Sequence, residues 1–298
     1  MTLKITKAAE PIRVERLNVA LYGQPGIGKT SLAFTAASPL LLDFDRGSYR
    51  AANRRDVVQV AQWSDVAEMS ADDLSDYKTV IVDTAGRALD VLTADIIRRN
   101  PKAGRGGALT LQGYGTLKAE FTAWLKLVNG MGKDVILVAH MDEQRNGDEI
   151  IERLDVQGGS KGEIYKAADA MGRIVMRDGK RRLLFSPTDA AFGKNPGQLE
   201  PLDIPHPDKA PEFLAGVIAQ IKDKLNAQTA EQTAATEELA AWRDIIGDLN
   251  DAEDFNDKLQ GVKAAPKAAQ ALFAAAATAK GLHFDKKACA YRATEAAT

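Results

Sequence analysis

The first two-thirds of the chain alternates short apolar runs with stretches whose apolar residues recur at helical spacing. This alternation is typical of an α/β protein with a mainly parallel sheet. The runs that predict strands are Leu17–Tyr22, Leu40–Asp43, Val57–Ala61, Thr79–Asp83, Asp134–His140, Arg173–Met176 and Arg182–Ser186. The stretches that predict helices are Lys29–Ala37, Arg87–Arg99, Thr116–Gly130, Gly162–Ala168 and Glu212–Asn226. The Asp-Gly pair within Arg177–Lys180 predicts a hairpin between the last two strands.

The remaining segments predict long loops and a separate C-terminal module. Asn100–Gly115 and Asp142–Lys161 are polar and contain glycine, and insertions of this length are usually functional or disordered. Residues 227–236 are rich in Ala, Thr and Gln and are interpreted as a linker or a frayed helix end. Helical patterns then follow at Glu237–Leu249, Ala252–Val262 and Lys267–Lys280. We therefore predict a core over 1–226, a linker over 227–236 and a small helical module over 237–298.

Composition narrows the function classes. With a formal net charge of −2, the chain has no global attraction for nucleic acid, so a polyanion site must be a local patch. Cys289 is the one cysteine, which excludes an intrachain disulfide and a cysteine-based zinc cluster. The first eleven residues lack the apolar core of a signal peptide, and no apolar run is long enough to span a membrane. We expect a cytoplasmic protein with no membrane partner.

The strongest motif is a phosphate-binding loop between the first strand and the first helix. Its pattern is Gly-x-x-x-x-Gly-Lys-Thr, in which backbone N–H groups and a helix N-terminus surround a phosphate. Lys29 is expected to reach the β- and γ-phosphates, and Thr30 to hold Mg²⁺. The alternative is a glycine-rich turn that binds nothing. The predicted nucleotide-binding residues are Gly23, Gln24, Pro25, Gly26, Ile27, Gly28, Lys29, Thr30 and Ser31.

Polar side chains at the ends of three later strands are further candidates. Asp83 follows an apolar strand and is predicted to hold Mg²⁺ through water, the alternative being a helix cap. Asp43 and Asp45 follow another strand, and since the carboxyl ends of parallel strands face the ligand, Asp45 is a candidate for polarising the attacking water. Asp43 is expected to fold the turn, and structural capping is the competing interpretation for both. His140 ends a strand and is either a phosphate sensor or a structural histidine.

This order of motifs resembles the RecA-like P-loop ATPase core over about residues 10–222. It is most similar to the compact bacteriophage recombinases that act as single-strand annealing proteins. The resemblance implies that Asp45 takes the place of the water-activating acid, which is usually Glu, and that His140 takes that of a Gln coupling phosphate to DNA. It also implies ATP and Mg²⁺ as cofactors and a catalytic lysine at Lys29. The segment 158–161, Gly-Gly-Ser-Lys, resembles the end of the second DNA-binding loop of that family.

Both long loops fall where the family binds DNA. The first loop and its approach are basic among glycines, and an aromatic ring there can stack on a base. The second loop is mixed in charge, and a solvated surface loop is the alternative for each. The DNA-binding candidates are Arg98, Arg99, Lys102, Arg105, Tyr114, Arg145, Arg153 and Lys161.

The resemblance also implies a homo-oligomer, a ring or filament in which one subunit supplies a cation to its neighbour's γ-phosphate. The candidates are Lys194, Arg181 and Arg182, with an ordinary surface charge as the alternative for each. The leading hypothesis is an ATP-dependent protein that binds or anneals single-stranded DNA, with a single-strand-binding or other replication protein as a further partner. The second is an AAA-type ATPase that remodels a protein or loads a helicase. A small-molecule kinase is the third, disfavoured because the chain lacks an Arg-rich lid.

Overall fold

The structure, a computed structural model, describes residues 6–7, 10–146, 149–156 and 161–293. The chain divides into two compact units. One is Val14–Leu225, and the other combines Asn226–Thr298 with Met1–Arg13.

The elements alternate along the chain much as their sequence patterns predict. The strands of the first unit are β1 (Asn18–Gly23), β2 (Pro39–Asp43), β3 (Asp56–Gln59), β4 (Thr79–Asp83), β5 (Gly104–Arg105), β6 (Ala108–Leu109), β7 (Asp134–Asn146), β8 (Glu149–Leu154), β9 (Ala170–Arg177), β10 (Lys180–Leu184) and β11 (Leu202–Asp203). Its helices are α1 (Lys29–Ala33), α2 (Ser64–Ala67), α3 (Ala85–Arg99), α4 (Leu111–Gly130) and α5 (Lys161–Ala167). Helix α6 (Phe213–Asp248) begins in the first unit and ends in the second.

Within the described residues, nine strands form one sheet in the order β11-β10-β9-β1-β7-β4-β2-β3, with β8 paired to the outer part of β7. From β3 to β9 all neighbours run parallel, whereas β10, β11 and β8 are antiparallel additions. The carboxyl ends of β1, β2, β4 and β7 therefore lie at one edge, where open α/β sheets bind ligands. This mixed, mainly parallel sheet with a C-terminal helical region is the RecA-like α/β fold predicted, and that prediction is confirmed.

The central strands are apolar throughout because both faces of the sheet are covered. Side chains alternate between the faces, so Tyr22 joins the core under α3 and α4, while Leu21 joins the core under α1 and the first part of α6. The same alternation separates Val82 from Ile81. Long apolar runs thus predict strands that are buried on both sides.

The described residues of both predicted long loops lie largely in strands and helices, which corrects the prediction. In Asn100–Gly115, a 3-10 turn is followed by the β5–β6 hairpin, and α4 begins five positions before the predicted Thr116. Thr110 caps α4 by accepting a hydrogen bond from the Gly113 N–H at 3.2 Å. Because the helix begins at Leu111, Gly113 and Gly115 of the predicted loop lie inside it. The second segment continues β7 to Asn146 and returns as β8. We call the paired segments 141–146 and 149–154 the arm.

The second unit contains α7 (Ala252–Ala264), α8 (Lys267–Ala279) and the hairpin strands β12 (Leu282–Asp285) and β13 (Ala290–Ala293). Its core joins Phe255, Phe273 and Tyr291, with ring centroids of Phe255 and Phe273 4.8 Å apart. The helices match the sequence patterns, whereas the hairpin was not predicted. Residues 227–236 are helical as part of α6, so the predicted linker is not an interruption of that helix. Of the helices described, none is both long and apolar enough to cross a membrane.

Candidate functional site

The phosphate loop and the ends of three other parallel strands surround one cavity of about 360 Å³. β1 leads into the loop, and β2 and β4 contribute the carboxylates that end or follow them. His140 lies within β7, at the last position of its pairing with β1. The cavity is lined by Pro25, Gly26, Gly28, Lys29, Thr30, Ser31, Asp43, Asp45, Gly47, Arg50, Ala51, Asp83, Thr84 and His140. The fold therefore brings together most of the residues that the sequence predicted as an ATP site, whereas Gly23, Gln24 and Ile27 do not line the cavity.

The loop conformation depends on glycine at specific places. Gly28 has φ +91°, a left-handed conformation that side chains rarely adopt, and it is the residue before α1. A Cβ on Gly23 would lie 2.7 Å from the carbonyl oxygen of Ile174 on the neighbouring strand. The loop can therefore turn tightly over the sheet edge and present its N–H groups to a phosphate.

Lys29 points inward and is almost completely buried, with 5% of its surface exposed. Its ammonium donates to the carbonyl oxygens of Gly23 at 3.0 Å and Gln24 at 2.9 Å, and it lies 3.2 Å from Nδ1 of His140. Burial lowers the pKa of Lys29 from 10.5 to about 8, although the carboxylates of Asp83 and Asp45 act in the opposite direction. In the part of the chain that the structure describes, no carboxylate pairs directly with this buried ammonium, so it is suited to receiving an anionic ligand.

Thr30 and Asp83 form the part of the site suited to Mg²⁺. The Thr30 hydroxyl donates to Oδ2 of Asp83 at 2.6 Å, and burial raises the pKa of Asp83. Thr84 is the residue that caps α3, because its side chain accepts from the Arg87 N–H at 3.3 Å. Asp83 is thus left for another role, and a hydroxyl beside one carboxylate fits a cation that also binds nucleotide phosphates and water. Among the described residues, no group of three His, Cys, Asp or Glu side chains is arranged to hold a metal.

The two carboxylates after β2 have different environments. Asp43 is buried and accepts hydrogen bonds from the N–H groups of Gly47 at 3.1 Å and Ser48 at 3.0 Å, so it folds the turn. Asp45 keeps about a third of its side chain exposed toward the cavity. Its oxygens lie 3.8 Å from Nε2 of His140 and 3.4 Å from Nε of Arg87. Asp45 is therefore the carboxylate available for chemistry.

His140 joins Lys29 to Asp45. Because Nδ1 faces the Lys29 ammonium, it acts as an acceptor, and the proton of the neutral ring belongs on Nε2, toward Asp45. Burial, followed by the nearby ammonium, lowers the pKa of His140. His140 therefore lies, as a neutral ring, between the Lys29 ammonium and the Asp45 carboxylate that faces the cavity.

The predicted residues of the first DNA segment differ in how they are engaged. Arg99 bridges Asp95 at 2.7 Å and Glu120 at 2.6 Å, and Arg98 pairs with Asp95 at 2.6 Å. Lys102 and Arg105 are exposed, and 38% of the surface of Tyr114 is exposed. The predicted basic patch therefore lies mainly around the β5–β6 hairpin, since Arg99 has a structural role in joining α3 to α4.

The predicted residues of the second DNA segment lie on or beside the arm. Arg145 is on β7, and Lys161 begins α5. Arg153 places its guanidinium over the ring of Phe192, 4.5 Å from the centroid, and donates to the Glu152 carbonyl. Gly158, Gly159 and Ser160 lie outside the described residues.

The three predicted trans-acting cations have different surroundings. Lys194 donates to the carbonyl oxygens of Tyr165 and Ala168, both at 2.6 Å, so its ammonium is engaged at the end of α5 rather than free for a neighbour. Arg182 pairs with Asp203 at 2.9 Å and remains a third exposed. Arg181 lies against the phosphate loop of its own chain.

Two contacts at the site were missed by sequence reasoning. Arg87 reaches Asp45 from the first turn of α3, and its position just after Asp83 was the available signal. The side-chain amide of Gln24 donates to Glu143 on the arm at 3.3 Å. These residues are more than one hundred positions apart, so only the pairing of β1 with β7 brings them together.

The phosphate loop, Asp45, Asp83 and His140 all lie within the part of the chain that matches a known family. Residues 15–196 match the family model described as an AAA domain. No curated protein matches the chain. A KaiC-like protein from the hyperthermophilic archaeon Pyrococcus horikoshii OT3 aligns in structure with a TM-score of 0.34 and 12% identity, covering 56% of this chain and 77% of that one. A likeness at this level carries no argument about function.

Proposed function

Because this chain belongs to the AAA domain family, we propose that it is an ATPase whose bound nucleotide controls the binding of single-stranded DNA. In this proposal it acts as a recombinase or annealing protein of the kind found in bacteriophages. The observation that carries it is a chain of contacts from the phosphate loop through the arm to the first segment assigned to DNA.

The ATP end of the site follows from its side chains. The loop N–H groups and Lys29 bind the phosphates, and Thr30 with Asp83 would hold Mg²⁺, which supplies charge neutralisation at the phosphates when bound. Asp45 accepts a proton from the water that attacks the γ-phosphorus, as ADP leaves. His140 orients Asp45 through its Nε2 proton and contacts Lys29 through Nδ1.

The arm is in contact with this end. His140 lies on β7, and the same strand continues directly into the arm. Gln24 of the phosphate loop contacts Glu143 of the arm, and the Asp155 N–H donates to the His140 carbonyl at 2.9 Å. A change in the phosphate loop or at His140 on nucleotide binding therefore acts on both strands of the arm, at the end nearest the site.

The two DNA segments meet beside this contact. A small cavity of about 80 Å³ is lined by Gly86 after the magnesium strand, by Gly107 and Tyr114 of the first segment, and by Val156 after β8. Leu111, 90% exposed, and Tyr114 also line a larger apolar cavity of about 490 Å³. Exposed rings and apolar side chains near Lys102 and Arg105 are what a single strand needs for base stacking beside phosphate contacts.

The test is an anisotropy titration of a fluorescent single-stranded oligonucleotide with a non-hydrolysable ATP analogue, with ADP and without nucleotide. We expect binding at least about tenfold tighter with the ATP analogue, and weaker binding as salt rises. The Lys29→Ala variant serves as the control and is expected to lose the nucleotide effect. DNA binding that is absent at low salt, or that is indifferent to nucleotide, contradicts the proposal.

A second function is favoured by the apolar character of the larger cavity. Leu89, Leu117 and Phe121 line it together with the Lys118–Glu163 ion pair, a mixture also suited to a protein segment. An AAA-type ATPase that remodels a protein or loads a helicase would use this surface. Electron microscopy separates the two functions, because closed rings without DNA favour a remodeller and DNA-dependent rings or filaments favour a recombinase.

A further inference from the structure

Strand β10 directs its three consecutive basic residues to two different faces. It pairs antiparallel with β9, so Lys180 and Arg182 point to one side and Arg181 to the other. Lys180 and Arg182 both pair with Asp203, at 3.4 Å and 2.9 Å. Arg181 shares its face with Leu183, which is buried in the core under α1. The three residues therefore cannot serve as equivalent cations.

Arg181 lies against the outer side of the phosphate loop in the same chain. Its Nη1 is 3.5 Å from the Ile27 carbonyl oxygen and would be 2.4 Å from a Cβ placed on Gly28. When the N–H groups of such a loop converge on a phosphate, its carbonyl oxygens point outward, and this is where the guanidinium lies. Arg181 thus contacts the residue whose left-handed conformation turns the loop into α1.

The position of Arg181 is determined by a second segment. The Ile204 N–H donates to the Arg181 carbonyl oxygen at 2.8 Å, and Nη2 of Arg181 is 3.5 Å from the Pro205 carbonyl oxygen. The planar guanidinium therefore joins the segment after β11 to the phosphate loop. A rigid group with several donors is suited to holding two backbone carbonyls at once.

We propose that Arg181 acts in cis as a positioning residue that holds the phosphate loop in its binding conformation and adds positive potential there. This inference rests on the proposed ATPase function, and it reassigns a residue that resemblance alone placed in a neighbouring subunit. Arg181 acts on the loop rather than on the γ-phosphate, so ADP and ATP depend on it equally. A cation supplied in trans to the γ-phosphate affects ATP hydrolysis and leaves ADP affinity unchanged.

The experiment is a titration of the full-length protein with a fluorescent ADP analogue, compared with a non-hydrolysable ATP analogue. Arg181→Met keeps most of the aliphatic side chain and removes the guanidinium. Arg177→Met, on the exposed end of β9, is the matched control. We expect Arg181→Met to bind both nucleotides about tenfold more weakly, the loss typical of one hydrogen bond to a charged group. Arg181→Lys is expected to be intermediate, and Arg177→Met to match the wild type.

Subunit mixing separates cis from trans action. Lys29→Ala subunits retain Arg181, so mixing them with Arg181→Met subunits restores hydrolysis only if Arg181 acts across an interface. We expect no restoration. Restored hydrolysis, or unchanged ADP affinity in a folded Arg181→Met protein, overturns the inference. If the wild type itself binds neither nucleotide, the proposed function fails instead.

Discussion

Raising the pH from 7 to 9 is expected to weaken nucleotide binding about tenfold, because only the charged form of Lys29 attracts phosphate. Burial lowers the pKa of this ammonium to about 8. About nine-tenths of the lysine is therefore protonated at pH 7, and about one-tenth at pH 9. The lowered pKa of His140 leaves that ring neutral over this range, so it does not contribute to the change.

The stability of the nucleotide-free protein is expected to change in the opposite direction. A lysine whose pKa falls from 10.5 to about 8 on folding holds fewer protons in the folded state than in the unfolded state between these values. The free energy of unfolding therefore rises as the pH increases through this window. The shift corresponds to roughly 3 kcal/mol, partly offset by the hydrogen bonds of Lys29, so Lys29→Met is expected to stabilise the protein by about 1–2 kcal/mol at pH 7.

Two measurements check this reasoning. Titration with a fluorescent ADP analogue from pH 7 to 9 gives the affinity, and urea denaturation without nucleotide gives the free energy of unfolding. Lys29→Arg is the control for binding, because its guanidinium stays protonated and removes the pH dependence that belongs to residue 29. A wild-type affinity that is flat over this range, or an equal slope in Lys29→Arg, refutes the assignment of the titration to Lys29.

Three further predictions concern the other groups. Asp45→Asn is expected to lower the rate of ATP hydrolysis by about 10²–10⁴ with nucleotide binding retained, measured by phosphate release, whereas Asp72→Asn, at an exposed position after α2, should hydrolyse normally. Asp134→Ala is expected to destabilise the fold by about 3–5 kcal/mol in urea denaturation, because its buried carboxylate accepts from the Leu17 N–H at 2.8 Å and the Lys222 ammonium at 2.7 Å; a loss below about 1 kcal/mol contradicts this. Tyr114→Ala is expected to weaken single-stranded DNA binding by about 1–3 kcal/mol without changing ADP affinity, and unchanged anisotropy curves would count against base stacking there.

The phosphate loop was predictable from the sequence because its chemistry resides in contiguous residues. The spacing of Gly23, Gly28 and Lys29 within one turn already determines which backbone groups face a phosphate. The buried strands were equally predictable, since a short run of β-branched apolar residues such as Val80–Val82 is typical of a strand buried on both faces. The two strands of the arm were not predictable, because their polar residues form strands by pairing with each other and not by burial.

What the sequence by itself determined was the set of pieces: the loop, the strand-end carboxylates and the basic segments. Only the tertiary structure decided which piece acts on which. It distinguished Asp43, which folds a turn, from Asp45, which faces His140. Asp45 follows β2 and His140 lies on β7, and β4 separates these two strands in the sheet. It also placed Arg181 on its own phosphate loop, through the pairing of β9 with β1 and β10. The physical reason is that strand order and register are long-range properties, and they fix distances that no local pattern contains.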